Sequence, residues 1–362
     1  MASTRRRFLI GAAAFGGTVV GRRAGAWDIA AAPPPLSHDA ARAAIPHSML
    51  VEAKDLRTAA AEAQTTTPQT TDTRLPTRQE VDAWFKDRRN WGRWGADDQV
   101  GAVNLITPEK RAAAAGLVKK GRTVSLSRVF EPEQQFVRIS PREGGGSVVD
   151  YYGFIYHGQT VTHVDALCHV WDEQGMWNGR KPESELDTRG ARFGDITAWS
   201  GGIITRGVLL DVPRYRREPH VTMDKPVHGW ELDAIARAER IDVRPGDALL
   251  VYSGREAFAR TGGGYASATR PGLHASCIKF IRDRDVAVLG WDMMDARPDG
   301  YGLPWPVHGV LFSYGVALLD NALLEPVATA CAEEGRYEFM FMALPLRVAR
   351  GTGSPVNPIA MF

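Results

Sequence analysis

Residues 156–169 read Tyr156-His157-Gly158-Gln159-Thr160-Val161-Thr162-His163-Val164-Asp165-Ala166-Leu167-Cys168-His169. Five of these side chains, His157, Gln159, His163, Asp165 and His169, offer nitrogen or oxygen donors, before Cys168 is considered. The threonines and valines between them favour extended backbone. Side chains of an extended segment alternate between faces, so His157, Gln159, His163 and Asp165 are expected on one face. A His-x-Asp pair on that face presents an imidazole and a carboxylate to a common point, and Zn²⁺ accepts both at about 2.0–2.2 Å. His169 lies four residues beyond Asp165, where a turn brings it back over the same point. A lone histidine is usually a satisfied core residue. This density of donors points instead to a metal site.

Further ligands should come from elsewhere in the chain. His38 and His47 fall in an Ala-, Pro- and Thr-rich stretch, and His220 and His228 in a connection containing Pro and Lys. His308 is better placed. It follows Pro304-Trp305-Pro306-Val307 and begins an apolar run that stops at Gly315, the pattern of a short helix. Val316-Ala317-Leu318-Leu319-Asp320 then reads as a buried strand ending in a carboxylate. His308 and Asp320 form the second expected pair.

Around these motifs helices and strands alternate. Thr123–Arg128, Ile203–Val212, Ala248–Ser253 and Val286–Gly290 are short, β-branched or apolar, and bounded by turn residues, so they read as strands. Thr107-Pro108-Glu109 has the capping residue, first-turn proline and acid of a helix start, and that helix is expected to run to Gly121. Trp230–Arg240 and Leu273–Arg284 also read as helices. The expectation is an α/β fold, with a single compact domain over residues 81–362.

The 362-residue chain carries 44 Lys+Arg and 42 Asp+Glu, but residues 1–26 hold five arginines and no acid. Without them the balance is −3, which argues against nucleic acid as the main partner, since phosphate binding rests on clustered cation excess. Three cysteines without a CxxC pair exclude a disulfide framework. No apolar run reaches the length of a membrane span. Thr4-Arg5-Arg6-Arg7-Phe8-Leu9, a weakly apolar stretch and Ala24-Gly25-Ala26 together read as a twin-arginine signal peptide over residues 1–26, with a periplasmic destination. Residues 27–80 bury little by composition and read as a poorly ordered linker, with one short helix near Asp39–Ala44.

The sequence resembles the metal-dependent cyclase family of hydrolases, which includes bacterial kynurenine formamidase and isatin hydrolase. The family motif His-x-Gly-Thr-His-x-Asp-x-x-x-His falls on Gln159 through His169. Agreement continues at Trp91–Thr107, Trp177-Asn178-Gly179, Gly202–Pro213, Pro245-Gly246-Asp247, Gly290–Asp292, and His308 with Asp320. The resemblance implies a mixed sheet of the swivelling β/β/α type, and a homodimer or homotetramer. It also implies a divalent metal, Zn or Mn, held by the Gln159 position, His163, Asp165, His308 and Asp320, with His169 as catalytic acid/base. Two positions depart from the family. Gln159 stands where a histidine is usual, with His157 as the candidate substitute. Asp320 stands where glutamate is usual, one methylene shorter.

Such a site suits hydrolysis of a C–N bond in an amide, formamide or cyclic amide. His169, titrating near neutrality, would take the proton of the attacking water and deliver it to the leaving nitrogen. Trp171, Trp177, Trp291 and Trp305 could wall a pocket for an aromatic or cyclic small molecule. Cys168 beside His169 invites a thiolate reading, but neighbours on a strand face opposite ways. Two rivals stand beside the hydrolase. One is a non-haem iron oxygenase, for which His163-x-Asp165 with a distal histidine would be the triad; the next arginine after His308 is only Arg336, too far on to bind a 2-oxo acid co-substrate. The other is an exported ligand- or metal-binding protein on the same fold, without catalysis.

Overall fold

The parallel strands at the centre of the sheet are the near-continuous apolar runs of the sequence. Ile203–Asp211, Ala248–Tyr252, Val288–Trp291 and Ala317–Asp320 lie side by side in that order, each parallel to the next. Ala248–Tyr252, Val288–Trp291 and Ala317–Asp320 are buried along their whole length, as parallel strands covered on both faces must be. Close packing demands small residues here. A Cβ on Gly290 would meet the Leu250 side chain at 2.4 Å.

Antiparallel strands extend this core on both sides. Glu338–Ala343, Ile359–Met361 and Thr123–Ser125 continue beyond Ile203–Asp211, and His163–Asp165 then Gly353–Pro355 continue beyond Ala317–Asp320. The result is a nine-stranded mixed sheet in a compact α/β domain. The computed structural model describes residues 73–265 and 268–362. The signal-peptide reading of residues 1–26, the helix expected near Asp39–Ala44 and most of the linker lie outside the described residues.

Helices pack on the sheet where the capping pattern placed them, with earlier ends. Thr107 caps Pro108–Ala115, its hydroxyl accepting from the Lys110 amide at 3.2 Å, and the helix stops at Gly116 rather than Gly121. Gly229–Ala238 and Cys277–Asp283 stand where helices were expected. A helix Arg78–Asp87, closed by a capping box between Thr77 and Glu80, begins three residues before residue 81, the expected start of the domain.

One element had no counterpart in the sequence reading. Gln134–Arg142 and Gly145–Gly153 form a long antiparallel hairpin of their own, separate from the main sheet.

Candidate metal centre

Register brings the two expected pairs together. In the antiparallel pairing of Ala317–Asp320 with His163–Asp165, Asp320 stands opposite His163. The helix Val310–Tyr314 ends on Gly315, whose left-handed backbone (φ 72°) turns the chain back into the Ala317–Asp320 strand. A side chain at Gly315 would run into Gly101 and Trp177, so glycine is required twice over. His308, just before this helix, is thereby set beside Asp320.

Asp165 is the centre of the cluster. Its carboxylate is wholly buried, with three imidazoles around it: His157 Nδ1 at 2.9 Å, His163 Nε2 at 3.2 Å and His169 Nε2 at 3.8 Å. None of these is aligned as a hydrogen bond, and both carboxylate oxygens lack a hydrogen-bond partner. A buried carboxylate without donors is costly unless a cation faces it. His163, Asp165 and Asp320 can converge on one point, as can His157, Asp165 and His169.

The imidazoles are individually oriented. His163 donates its Nδ1 hydrogen to the Val161 carbonyl at 2.8 Å, which leaves Nε2 to the centre. His157 Nε2 is engaged by the Thr352 hydroxyl at 3.0 Å, leaving Nδ1 toward Asp165. Its ring stacks on that of His169, with centroids 3.8 Å apart.

Electrostatics separate these histidines. Burial opposes the charge on His163, but the Asp165 carboxylate outweighs it and raises the group to about 9. His169 moves the other way, lowered to about 4 chiefly by burial, so its imidazole is neutral at pH 7 rather than poised at neutrality. For Asp165 burial is the largest influence and works upward, yet His169 and His163 hold the carboxyl well below its ordinary range.

His308 is held between two carboxylates. Its Nδ1 bonds Asp295, and its Nε2 lies 3.1 Å from Asp320 Oδ2. Burial works against its charge, but Asp295 and Asp320 raise it to about 10. With both ring nitrogens occupied, His308 supports Asp320 instead of facing Asp165. Asp295 was missed by the sequence reading; it also accepts from the His308 backbone amide at 3.0 Å and faces Arg270 at 3.4 Å. Nothing in the local pattern distinguishes it from other acids.

Gln159 departs from the expected face. The chain bends through residues 157–161, and the strand is only His163–Asp165, so alternation does not extend back to Gln159. Asn321 holds the bend, its amide donating to the carbonyls of Gly158 at 2.7 Å and Val161 at 3.1 Å. Arg255 bonds both the Asn321 side chain and the Gln159 carbonyl. Gln159 lines a cavity of about 530 Å³ with Arg128, Arg255 and Tyr265, whereas His157 reaches Asp165.

The tryptophans divide. Trp177 is buried against structure, donating to the Asp98 carbonyl at 2.9 Å. Trp291 donates to Asp320 and lies 5.0 Å from the His308 ring, so it anchors the centre rather than walling a pocket. Trp305 is 5.8 Å from His308, and Trp171 is 40% exposed. Burial pushes the Cys168 thiol up to about 12, which leaves no thiolate for a nucleophilic role.

Comparison with known proteins agrees with this architecture. The model of the cyclase family matches residues 124–297. A solved structure described as a novel cyclase is 28% identical, with a TM-score of 0.68 over 76% of this chain and 99% of that one. Isatin hydrolase A from Labrenzia aggregata, bound to benzyl benzoate, is 18% identical, with a TM-score of 0.47 over 68% of this chain and 94% of its own. A protein described as a predicted metal-dependent hydrolase from Bacillus stearothermophilus is 16% identical, with a TM-score of 0.42 over 67% of this chain and 98% of its own. No curated protein matches the sequence.

Proposed function

We propose that this chain, which matches the model of the cyclase family over residues 124–297, is a metal-dependent hydrolase that cleaves a C–N bond of an amide, formamide or cyclic amide. The observation that carries the reading is the Asp165 carboxylate, buried among three imidazoles with neither oxygen hydrogen-bonded. His163, Asp165 and Asp320 would hold a divalent cation, with His157 in place of Gln159 beside them. Imidazole and carboxylate together suit Zn or Mn. A cation bound there supplies an acidified water and a polarised carbonyl.

The chain's own residues do the rest. His163 keeps Nε2 available because Val161 takes its other hydrogen. The Asp295–His308–Asp320 chain fixes the orientation of the Asp320 carboxylate, with Trp291 on its other oxygen. His169, neutral and stacked on His157, accepts the water proton and returns it to the leaving nitrogen. The choice of C–N bond rests on the motif's resemblance to kynurenine formamidase and isatin hydrolase. Trp305, beside His308, favours an aromatic or cyclic small molecule.

The twin-arginine segment directs the protein to the periplasm in this reading. Arg5→Lys with Arg6→Lys is then expected to leave it in the cytoplasmic fraction. The activity is tested by turnover of a panel of cyclic amides and formamides, by chelated protein and after Zn or Mn is restored. Metal-dependent release of a carboxylate is expected. Tight binding without turnover would make the chain a binding protein, and oxygen uptake with Fe(II) would make it an oxygenase.

A further inference from the structure

The cavity beside Gln159 carries more positive charge than its own acid can pair. About 530 Å³ in volume, it is walled by Arg128, Arg255, Arg260 and Glu256, with the rings of Phe258 and Tyr265. Arg128 takes one oxygen of Glu256, and Arg260 turns to Glu325 at 2.7 Å. Arg255 is left with neutral partners: the carbonyls of Asp292 and Gln159, and the side-chain oxygen of Asn321. Its Nε makes none of these bonds. Among the described residues no carboxylate oxygen bonds its guanidinium, which lies 4.3 Å from the centre of the Tyr265 ring.

The Asp292 carboxylate does not fill that role. Its oxygens accept the backbone amides of Ser253, Gly254, Arg255 and Met293, and burial pushes it up to about 6. Burial, and then the charge on Arg128, lower Arg255 to about 10. A buried cation without a counter-ion is costly until an anion joins it. Glu256 adds a second defect, since its Oε2 is buried without a hydrogen-bond partner. A ligand that satisfies both groups brings an anion to Arg255 and a hydrogen-bond donor to Glu256. A carboxylate matches the planar guanidinium, edge to edge. The donor is a hydroxyl, because an ammonium would face three guanidiniums. Phe258 and Tyr265 offer apolar surface to a ring, and the volume falls within the roughly 300–1,000 Å³ of small-molecule sites.

We propose that this cavity binds an aromatic hydroxy acid, with its carboxylate on Arg255 and its hydroxyl on Glu256. The site stands apart from the metal centre but is joined to it. Arg255 donates to Asn321 Oδ1 at 2.6 Å, Asn321 Nδ2 donates to the Val161 carbonyl at 3.1 Å, and the same carbonyl takes the His163 Nδ1 hydrogen at 2.8 Å. A carboxylate on Arg255 therefore acts on the group that orients His163.

Calorimetric titration of the full chain with mandelate, a hydroxy acid on a phenyl ring, tests the site without relying on the hydrolase reading. Mandelate is expected to bind metal-loaded and chelated protein alike, because neither Asp165 nor its surrounding histidines line the cavity. The uncharged mandelamide should bind about 30-fold more weakly, and phenylacetate, which lacks the hydroxyl, about 5-fold more weakly. Arg255→Gln should weaken mandelate by about 30-fold. Arg255 also holds the bend at Gln159, so Phe258→Ala serves as the variant that leaves those bonds intact. It should weaken mandelate by about 10-fold while the circular dichroism stays that of the wild type. No binding at about 10 mM mandelate, equal binding of mandelamide, an undiminished Phe258→Ala complex, or loss of binding on chelation would overturn the proposal.

Discussion

Asp165 and Glu239 carry the same defect in different surroundings. Asp165 has two buried oxygens and Glu239 one, all without a hydrogen-bond partner. Glu239, beside Asp211 at the end of the helix Gly229–Ala238, is pushed up to about 8 by burial and then by the Asp211 charge. It resolves the defect by staying protonated. Asp165 is more deeply buried, yet its imidazoles hold it ionised. An orphaned carboxylate alone is therefore an isolated strain on the fold. One ringed by histidines is a place prepared for positive charge.

The largest effect should come from breaking the prepared site. Asp165→Asn is expected to remove the bound metal and lower turnover by about 10⁴-fold or more, because both water activation and carbonyl polarisation are lost. Metal analysis and kinetics of the same preparation check this. His169→Gln should lower kcat by about 10²–10³-fold while metal content stays at the wild-type level. Loss of metal in that variant would make His169 a ligand instead of a proton carrier.

Asp295→Asn probes the support behind the site. It removes the anion that holds His308 against Asp320, and metal affinity should weaken by about 10–100-fold, read by competition with a chelator. The smallest effect belongs to the contrasting carboxylate. Glu239 binds its proton more tightly folded than unfolded, so its contribution to stability is complete below pH 4.5 and is lost as pH rises through about 8. Glu239→Gln should accordingly raise Tm by about 2–4 °C at pH 9 and change it little at pH 4, without altering metal content.

Much of this architecture is legible in the sequence. The central strands were visible because apolar runs bounded by turn residues have few other readings, and the Thr107 cap because its chemistry is local. His163, Asp165 and Asp320 could be paired because each sits on a strand, where position in the pattern decides the face. The misreadings share one cause. Gln159 was assigned by extending alternation through a segment that bends, and the bend is imposed by Asn321 and Arg255 from distant parts of the chain. Asp295 is far from His308 in pattern though bonded to it in space. The hairpin escaped because both of its faces are apolar, which blurs the alternation that marks a strand, although Gly144, Gly145 and Gly146 do mark its turn.

His163, Asp165 and Asp320 are expected to hold one divalent cation. Elemental analysis of the native protein purified without added metal, side by side with His163→Ala, addresses it most directly. About one equivalent of Zn or Mn in the native protein, and a small fraction of that in the variant, is the predicted result. Equal metal in both, or none in either after growth with Zn and Mn supplied, would contradict it.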